Sequence, residues 1–148
     1  MHRPVIAPTP DSPASQAVGV DLDGTLADAS AGWMGGRIGL PLPGAIEALR
    51  LLARHRAVFV YTARPQHWLP EIADWVTWFS GLPAFVDPDP ARAYWTVVGG
   101  PILVTNTKLG AAAYVDDRAV HHAGDWDVTL AVVSRAIGLD RKGIPASV

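Results

Sequence analysis

AVGVDLDGTLA, residues 17–27, carries the pattern that indicates most directly the fold and the chemistry of this chain. An apolar run with β-branched residues, 17–20, is followed by Asp21, Asp23 and Gly24. A short apolar run that stops at a turn signal is typical of a buried parallel strand. Because a carboxylate at the end of a buried strand is costly unless something pairs with it, Asp21 and Asp23 need a partner there.

Segments typical of strands and helices alternate along the rest of the chain. We predict helices over 43–56, 69–81 and 125–138, strands over 57–64 (ending at Thr62) and 83–86, and an apolar strand within 109–117. Residues 29–44 are rich in Gly and Pro and predict a loop or small hairpin, and 87–106 predicts one or two short extended pieces. This alternation predicts a Rossmann-like, three-layer α/β/α fold with a parallel central sheet.

Length and composition limit the classes of protein to consider. The 148 residues predict one domain over 17–140, a flexible Pro-rich tail over 1–16 and a short C-terminal tail over 141–148. The absence of Cys excludes disulfides and thiolate metal sites. No segment has the pattern of a secretory signal or a membrane span, so we expect a cytoplasmic protein without a membrane partner. The formal net charge of −2 provides no basic surface of the kind that dominates nucleic-acid binding.

Two pairs of acids follow apolar runs, at positions that a parallel sheet would bring to one edge. These are Asp21 with Asp23, and Asp116 with Asp117. In such sheets ligands bind beyond the carboxyl ends of the strands. Two unit charges about 4 Å apart repel by roughly 4 kcal/mol at an effective dielectric constant of 20, and a divalent cation relieves that repulsion. Oxygen ligands without Cys or patterned His favour a hard ion, so the sequence predicts Mg²⁺ before Zn²⁺.

Four motifs along the chain resemble those of the haloacid dehalogenase superfamily, whose members are mostly Mg²⁺-dependent phosphatases. DLDGTLA (21–27) resembles the first motif, DxDGT, and VYTAR (60–64) is similar to the second, a strand that ends in Ser or Thr. TNTKLGAAAYVDDRAV (105–120) is similar to the third and fourth, a lysine followed by a strand that ends in paired acids. The motifs occur in the family's order and cover 17–118, about two-thirds of the chain.

The resemblance implies catalytic roles for the first motif. Asp21 would attack phosphorus and form an aspartyl-phosphate, because a carboxylate is a nucleophile that needs no deprotonation at neutral pH. Asp23 would protonate the leaving oxygen and then activate the water that hydrolyses the intermediate. Gly24 would let the backbone turn sharply beside them.

The resemblance also implies a Mg²⁺ site and a set of groups around the phosphoryl group. Asp21, Asp116 and the main-chain carbonyl of Asp23 would hold Mg²⁺, with Asp117 as a further ligand or water-holder. Thr62 and Lys108 would neutralise the transferring phosphoryl group.

The sequence gives fewer signals for substrate contacts than for the catalytic and metal-binding residues. Gly24, Thr25 and Arg64 are candidates for substrate binding, and for Arg64 an ion pair with an acid within the fold is an equally favoured alternative. Whether His67, just after the second motif, or Trp33, in the Gly-rich loop, also contacts substrate is not decided by the sequence.

The spacing of the motifs favours a member without a large cap domain, because neither interval between motifs is long enough to hold one. We therefore expect a phosphomonoesterase acting on a small phosphorylated metabolite or nucleotide. Two alternatives remain: a nucleic-acid end-processing 3′-phosphatase, which the mildly acidic charge balance disfavours, and a non-catalytic binding module on the same fold. The oligomeric state is not indicated.

Overall fold

Five strands form one all-parallel sheet. They are β1 (Ala17–Asp21), β2 (Ala57–Tyr61), β3 (Ala84–Val86), β4 (Ile102–Thr105) and β5 (Ala113–Val115), in the spatial order β3-β4-β2-β1-β5. The computed structural model describes residues 17–30 and 36–139. Parallel neighbours require crossover connections, and a sheet of this kind places the carboxyl ends of all its strands along one edge.

Residues 17–30 and 36–139 contain three α-helices. They are α1 (Ala45–His55), α2 (Leu69–Ser80), which follows a single 3₁₀ turn, and α3 (Trp126–Ala136). The α2 helix ends at Gly81, whose φ of 74° is a left-handed conformation that glycine adopts without strain. The α3 helix begins after Asp125, whose side chain accepts hydrogen bonds from the N–H groups of Asp127 and Val128.

The two faces of the sheet are covered differently. Alternate strand residues on one face pack against both α1 and α2 in the larger core cluster; its fully buried members include Leu22, Leu49, Val60, Ile72 and Val104. On the other face, Phe59 and Leu103 pack with Trp95 and Leu109, which loops rather than helices supply. Burial of this apolar surface, at roughly 25 cal/mol per Å², is the main force that fixes the strands.

The described residues divide into two compact units. The first unit comprises 17–30 and 36–117 and contains the whole sheet with α1 and α2. The second unit comprises 118–139 and contains α3. Within it, the Nδ1 atom of His122 lies 2.6 Å from the Thr129 hydroxyl.

The predicted Rossmann-like α/β fold class and its parallel central sheet are confirmed. The predicted helices shorten by a few residues at their ends, and the poorly patterned segment 87–106 supplies β4. The predicted tails (1–16 and 141–148) and Trp33 lie outside the described residues. Within the described ranges, none of the helices combines the length and the apolar character needed to span a membrane.

Candidate functional site

The register of the sheet brings the ends of several strands into one row. Asp21 is paired with Tyr61, and Tyr61 is paired with Thr105, so the last residues of β1, β2 and β4 lie side by side. On the other side of β1, Val20 is paired with Val115, and Asp116 follows directly. The acids that end the first and last strands therefore meet at the carboxyl edge of the sheet.

Three carboxylates form a cluster at this edge. Asp21, Asp116 and Asp117 each offer an oxygen, and the three oxygens lie within 4.8 Å of one another. Burial, and after it the charge of Asp116, raises the pKa of Asp21 to about 7. A group of oxygen ligands at this separation suits a hard divalent cation such as Mg²⁺, which would offset the repulsion among them. We call these three residues the acidic cluster.

Thr25 connects the two sides of the acidic cluster. Its hydroxyl lies 3.4 Å from Asp21 Oδ2 and 3.3 Å from Asp117 Oδ1, and it accepts a hydrogen bond from the Asp117 N–H at 3.1 Å. A hydroxyl carries one proton, so it can donate to only one of the two carboxylates at a time. Thr25, which the sequence marked as a candidate substrate contact, thus contacts the acidic residues themselves.

Gly24 allows Asp117 to approach the first motif. Its φ of 84° is left-handed, and a Cβ added there would collide with the Asp117 carboxylate. Any other residue at position 24 would therefore strain the backbone and displace the Asp117 carboxylate. The glycine of the DxDGT-like motif therefore has a structural reason to be present, namely room for the acid at the end of β5.

Asp23 is held apart from the acidic cluster by an arginine. Arg64 donates from Nε to one carboxylate oxygen and from Nη2 to the other, both at 2.7 Å. The Arg64 side chain is only 3% exposed, and its guanidinium carbon lies 4.6 Å from the centre of the Trp68 ring. The hydrogen bond to Asp23 also raises the pKa of Arg64. This fork-like pairing fixes both the position and the orientation of the Asp23 carboxylate.

One nitrogen of Arg64 has no hydrogen-bond partner among the described residues. Nη2 also donates to the carbonyl of Arg37 at 3.2 Å, whereas Nη1 is buried and has no hydrogen-bond partner in the part of the chain that the structure describes. Arg64 was a candidate for substrate binding from the sequence. Nη1 is the donor that it retains for such a contact.

Thr62 and Lys108, the candidates for binding the phosphoryl group, differ in their surroundings. Thr62 is 3% exposed, directly follows β2, and its hydroxyl oxygen accepts the N–H of Arg64 at 3.0 Å. This leaves the Thr62 proton available for donation. Lys108 is exposed, and its ammonium nitrogen lies 4.2 Å from the centre of the Tyr114 ring. The role of each at a phosphoryl group stays a prediction.

Tyr61 is a residue of the site that sequence reasoning missed. Its hydroxyl donates to Asp116 Oδ2 at 2.8 Å, and its burial, with this hydrogen bond, raises its pKa above the ordinary value. Its place at the end of a predicted strand could have indicated this role, because Tyr61 ends β2 and is paired in register with Asp21. His67 is exposed, and its ring lies 6.1 Å from that of Trp68.

Comparison with known proteins bears mainly on the fold. The structure is similar to that of a conserved protein from Bacteroides thetaiotaomicron, with a TM-score of 0.51 and 25% sequence identity over 82% of this chain and 92% of that chain. No model of a protein family matches the sequence, and comparison with curated proteins finds no match. The parallel-sheet α/β fold is compatible with that of the haloacid dehalogenase superfamily.

Proposed function

We propose that this chain is a Mg²⁺-dependent phosphomonoesterase of the haloacid dehalogenase type, acting on a small phosphorylated substrate through an aspartyl-phosphate. The observation that carries the proposal is the acidic cluster, in which Asp21, Asp116 and Asp117 converge from two adjacent strands. Four sequence motifs similar to those of the superfamily support it, because all four lie at or just beyond the carboxyl ends of strands.

The residues of the acidic cluster fit the metal that the resemblance implies. Asp21, Asp116 and Asp117, with the main-chain carbonyl of Asp23, would hold Mg²⁺. When bound, that ion would neutralise charge on the phosphoryl oxygens and on the cluster itself. The chain's own groups carry the remaining steps of the proposed reaction.

In the first step, an oxygen of Asp21 forms a bond to phosphorus while the bond from phosphorus to the leaving oxygen breaks. Asp23, in its protonated form, transfers its proton to that oxygen, so the product leaves as a neutral alcohol. Thr62 and Lys108 would donate to the phosphoryl oxygens and stabilise the charge that is spread over them. Since Arg64 occupies both Asp23 oxygens, proton transfer competes with this ion pair for the same atoms.

In the second step, water attacks the phosphorus of the aspartyl-phosphate, and the bond to Asp21 breaks. Asp23 accepts the proton of the water, which restores the acid needed for the next cycle, and inorganic phosphate departs. Arg64 serves here as a positioning residue, because it holds the Asp23 carboxylate in one orientation beside the nucleophile.

The test is release of inorganic phosphate from a panel of esters with and without MgCl₂. The panel contains p-nitrophenyl phosphate, sugar phosphates, nucleotides and 3′-phosphorylated oligonucleotides. Wild-type protein should release phosphate only with the metal, and Asp21→Asn should reduce kcat by at least about 10³-fold because the nucleophile is lost. Asp74→Asn, a matched change at an exposed carboxylate on α2, should leave the rate unchanged.

Three results would contradict the proposal. Equal rates for wild type and Asp21→Asn would remove Asp21 from the mechanism. Failure to hydrolyse any ester with Mg²⁺ would instead favour a non-catalytic binding module, and a strong preference for the oligonucleotide would favour the 3′-phosphatase.

A further inference from the structure

A cavity of about 360 Å³ opens beside the candidate site, at the carboxyl ends of β3 and β4. Its walls continue the segments that carry the proposed phosphoryl-binding residues. Gln66 lies two residues after Arg64, and Thr107 directly precedes Lys108. Thr105, another wall residue, accepts the N–H of Thr62 through its main-chain carbonyl at 3.1 Å. None of these wall residues belongs to the acidic cluster.

The register of the sheet sets the distance between this cavity and the nucleophile. Asp21, Tyr61 and Thr105 lie side by side on three successive strands. At a spacing of about 4.8 Å per strand, Thr105 lies roughly 10 Å from Asp21 along the row. That span accommodates a phosphoryl group on Asp21 and one ring-sized leaving group extending into the cavity.

A fixed ion pair forms the far wall of the cavity. Arg92 donates from Nε to both oxygens of Asp87 at 3.0 Å, and its guanidinium lies 5.2 Å from the centre of the Trp95 ring. Asp87 also accepts the N–H of Asp89 at 2.9 Å, and its own N–H donates to Val104 of β4. The Nε contact leaves the terminal nitrogens of Arg92 outside those two hydrogen bonds. The wall therefore presents donors and acceptors in fixed positions.

The charge of the lining disfavours an anionic leaving group. Two carboxylates, Asp87 and Asp89, face one guanidinium, that of Arg92, so the lining carries an excess of one negative charge. Repulsion of like charges would weaken the binding of a second phosphate or a carboxylate on the substrate. Neutral hydroxyl groups experience no such repulsion.

The remaining polar groups suit hydroxyl recognition rather than base stacking. Gln66, Asn106 and Thr107 each provide a donor and an acceptor, as each sugar hydroxyl does. Leu69 and Leu109 add apolar surface. None of the described residues that line the cavity is aromatic, so it offers no stacking platform of the kind that binds nucleobases.

We infer that this cavity is the leaving-group site and that it selects uncharged, polyhydroxylated leaving groups of monosaccharide size. The inference deepens the proposed function and rests on it. Selectivity then comes from the 87–92 loop and from the residues that flank Thr105, instead of from a cap domain.

The test ranks kcat/KM for wild-type protein with Mg²⁺ on four alkyl monoesters and one reference ester. The alkyl esters are glucose 6-phosphate, ribose 5-phosphate, 3-phosphoglycerate and AMP, and p-nitrophenyl phosphate is the reference because its reactive leaving group needs no hydroxyl recognition. We expect both sugar phosphates to exceed 3-phosphoglycerate, whose carboxylate the lining repels, and AMP, whose base finds no aromatic stacking surface, by about tenfold or more.

Two variants connect that ranking to the cavity. The double variant Gln66→Ala/Asn106→Ala should lower kcat/KM for glucose 6-phosphate by about tenfold, mainly through KM, and leave p-nitrophenyl phosphate within about twofold. Asp89→Asn should raise the ratio of kcat/KM for 3-phosphoglycerate to that for glucose 6-phosphate several-fold. A circular dichroism spectrum like that of the wild type shows in each case that the variant is folded.

The outcomes separate this inference from the proposed function. If p-nitrophenyl phosphate is hydrolysed but the sugar phosphates are not preferred, or AMP or 3-phosphoglycerate is preferred, the inference fails alone. An equal loss of activity on sugar phosphates and on p-nitrophenyl phosphate in the double variant would also overturn it. Absence of turnover on every ester would overturn the proposed function and this inference together.

Discussion

Asp21 and Asp23 lie two residues apart at the end of β1, yet their carboxylates have opposite electrostatic surroundings. Asp21 faces the carboxylates of Asp116 and Asp117, and its pKa is raised to about 7 by burial and by the charge of Asp116. Asp23 is met by the buried guanidinium of Arg64 at 2.7 Å. The protein thus supplies the counter-charge for one acid and gathers further acids around the other, whose charges repel one another unless a proton or a cation offsets them.

The largest expected effect comes from removing the counter-charge of Asp23. Arg64→Met should lower the free energy of unfolding by about 3 kcal/mol, because it leaves a partly buried carboxylate without its partner. Arg50→Met is the control, since Arg50 is exposed and donates to the main-chain carbonyls of Ser80 and Phe79, so its loss leaves no buried carboxylate without a partner. Its cost should be about 1 kcal/mol or less. Denaturation in urea measures both.

A double variant sharpens this prediction. Asp23→Asn/Arg64→Met removes both charges, so it should recover part of the stability lost in Arg64→Met while remaining inactive as a phosphatase. If Arg64→Met costs no more than Arg50→Met, or the double variant recovers nothing, then Arg64 does not serve as the counter-charge of Asp23 in the way described above.

The second effect concerns the acidic cluster in the metal-free protein. It is a change of about 2 kcal/mol in the free energy of unfolding, after allowance for solvent screening. Because the pKa of Asp21 is raised from 3.8 to about 7, the folded chain binds its proton more tightly than the unfolded chain. The free energy of unfolding of the metal-free protein should therefore fall as pH rises from about 4 to 7, and it should level off above pH 7. Asp116, Asp117 and Tyr61 are the titratable groups that face Asp21.

Thermal unfolding in EDTA at pH 5 and pH 8, and again with MgCl₂, tests that reasoning. Wild-type Tm should drop from pH 5 to pH 8 by more than the Tm of Asp21→Asn does, and MgCl₂ at pH 8 should raise the wild-type Tm but hardly change that of the variant. Asp74→Asn should behave as wild type. A variant less stable than wild type in EDTA at pH 8 would contradict repulsion within the cluster.

The convergence of the acids could be predicted from sequence, whereas the pairing of Asp23 could not. Asp21 and Asp116 each follow an apolar strand, and parallel strands present their carboxyl ends at one edge, so the sequence places both acids at that edge, while the pairing of β1 with β5 brings them together. The partner of Asp23 depends on side-chain direction across a separation of 41 residues in the chain. From the sequence Arg64 could bind substrate or pair with an acid, and local pattern does not distinguish the two.

The same contrast applies to the elements of the fold. The helices α2 and α3 are readable because Gly81 ends one and Asp125 caps the other, and both signals are local. The strand β4 lies in a segment with no clear periodicity, and it becomes a central strand only by pairing with β2 and β3. The cavity at its end, with the Asp87–Arg92 pair, was therefore beyond sequence reasoning.

The third effect distinguishes strain at a glycine from displacement of an acid. Gly24→Ala and Gly81→Ala both place alanine at a left-handed φ, 84° and 74°, and each should cost about 1 kcal/mol for that reason. Only at Gly24 does the new Cβ meet the Asp117 carboxylate, since at Gly81 nothing lies within 4 Å. Gly24→Ala should therefore also weaken Mg²⁺ binding by about tenfold, measured by calorimetry, while Gly81→Ala leaves it unchanged.

The smallest effect concerns Tyr61, whose hydroxyl donates to Asp116 from the strand between Asp21 and Thr105. Tyr61→Phe removes the proton that the Tyr61 hydroxyl donates to Asp116. Mg²⁺ affinity should therefore fall severalfold, and the free energy of unfolding should fall by about 1 kcal/mol. Tyr114→Phe is the control, because its hydroxyl donates at 2.6 Å to the carbonyl of Leu109 and not to an acid. The control should lose comparable stability but retain Mg²⁺ affinity. Equal losses of affinity in both variants would mean that Tyr61 only packs at the strand end and does not orient Asp116 for the cation.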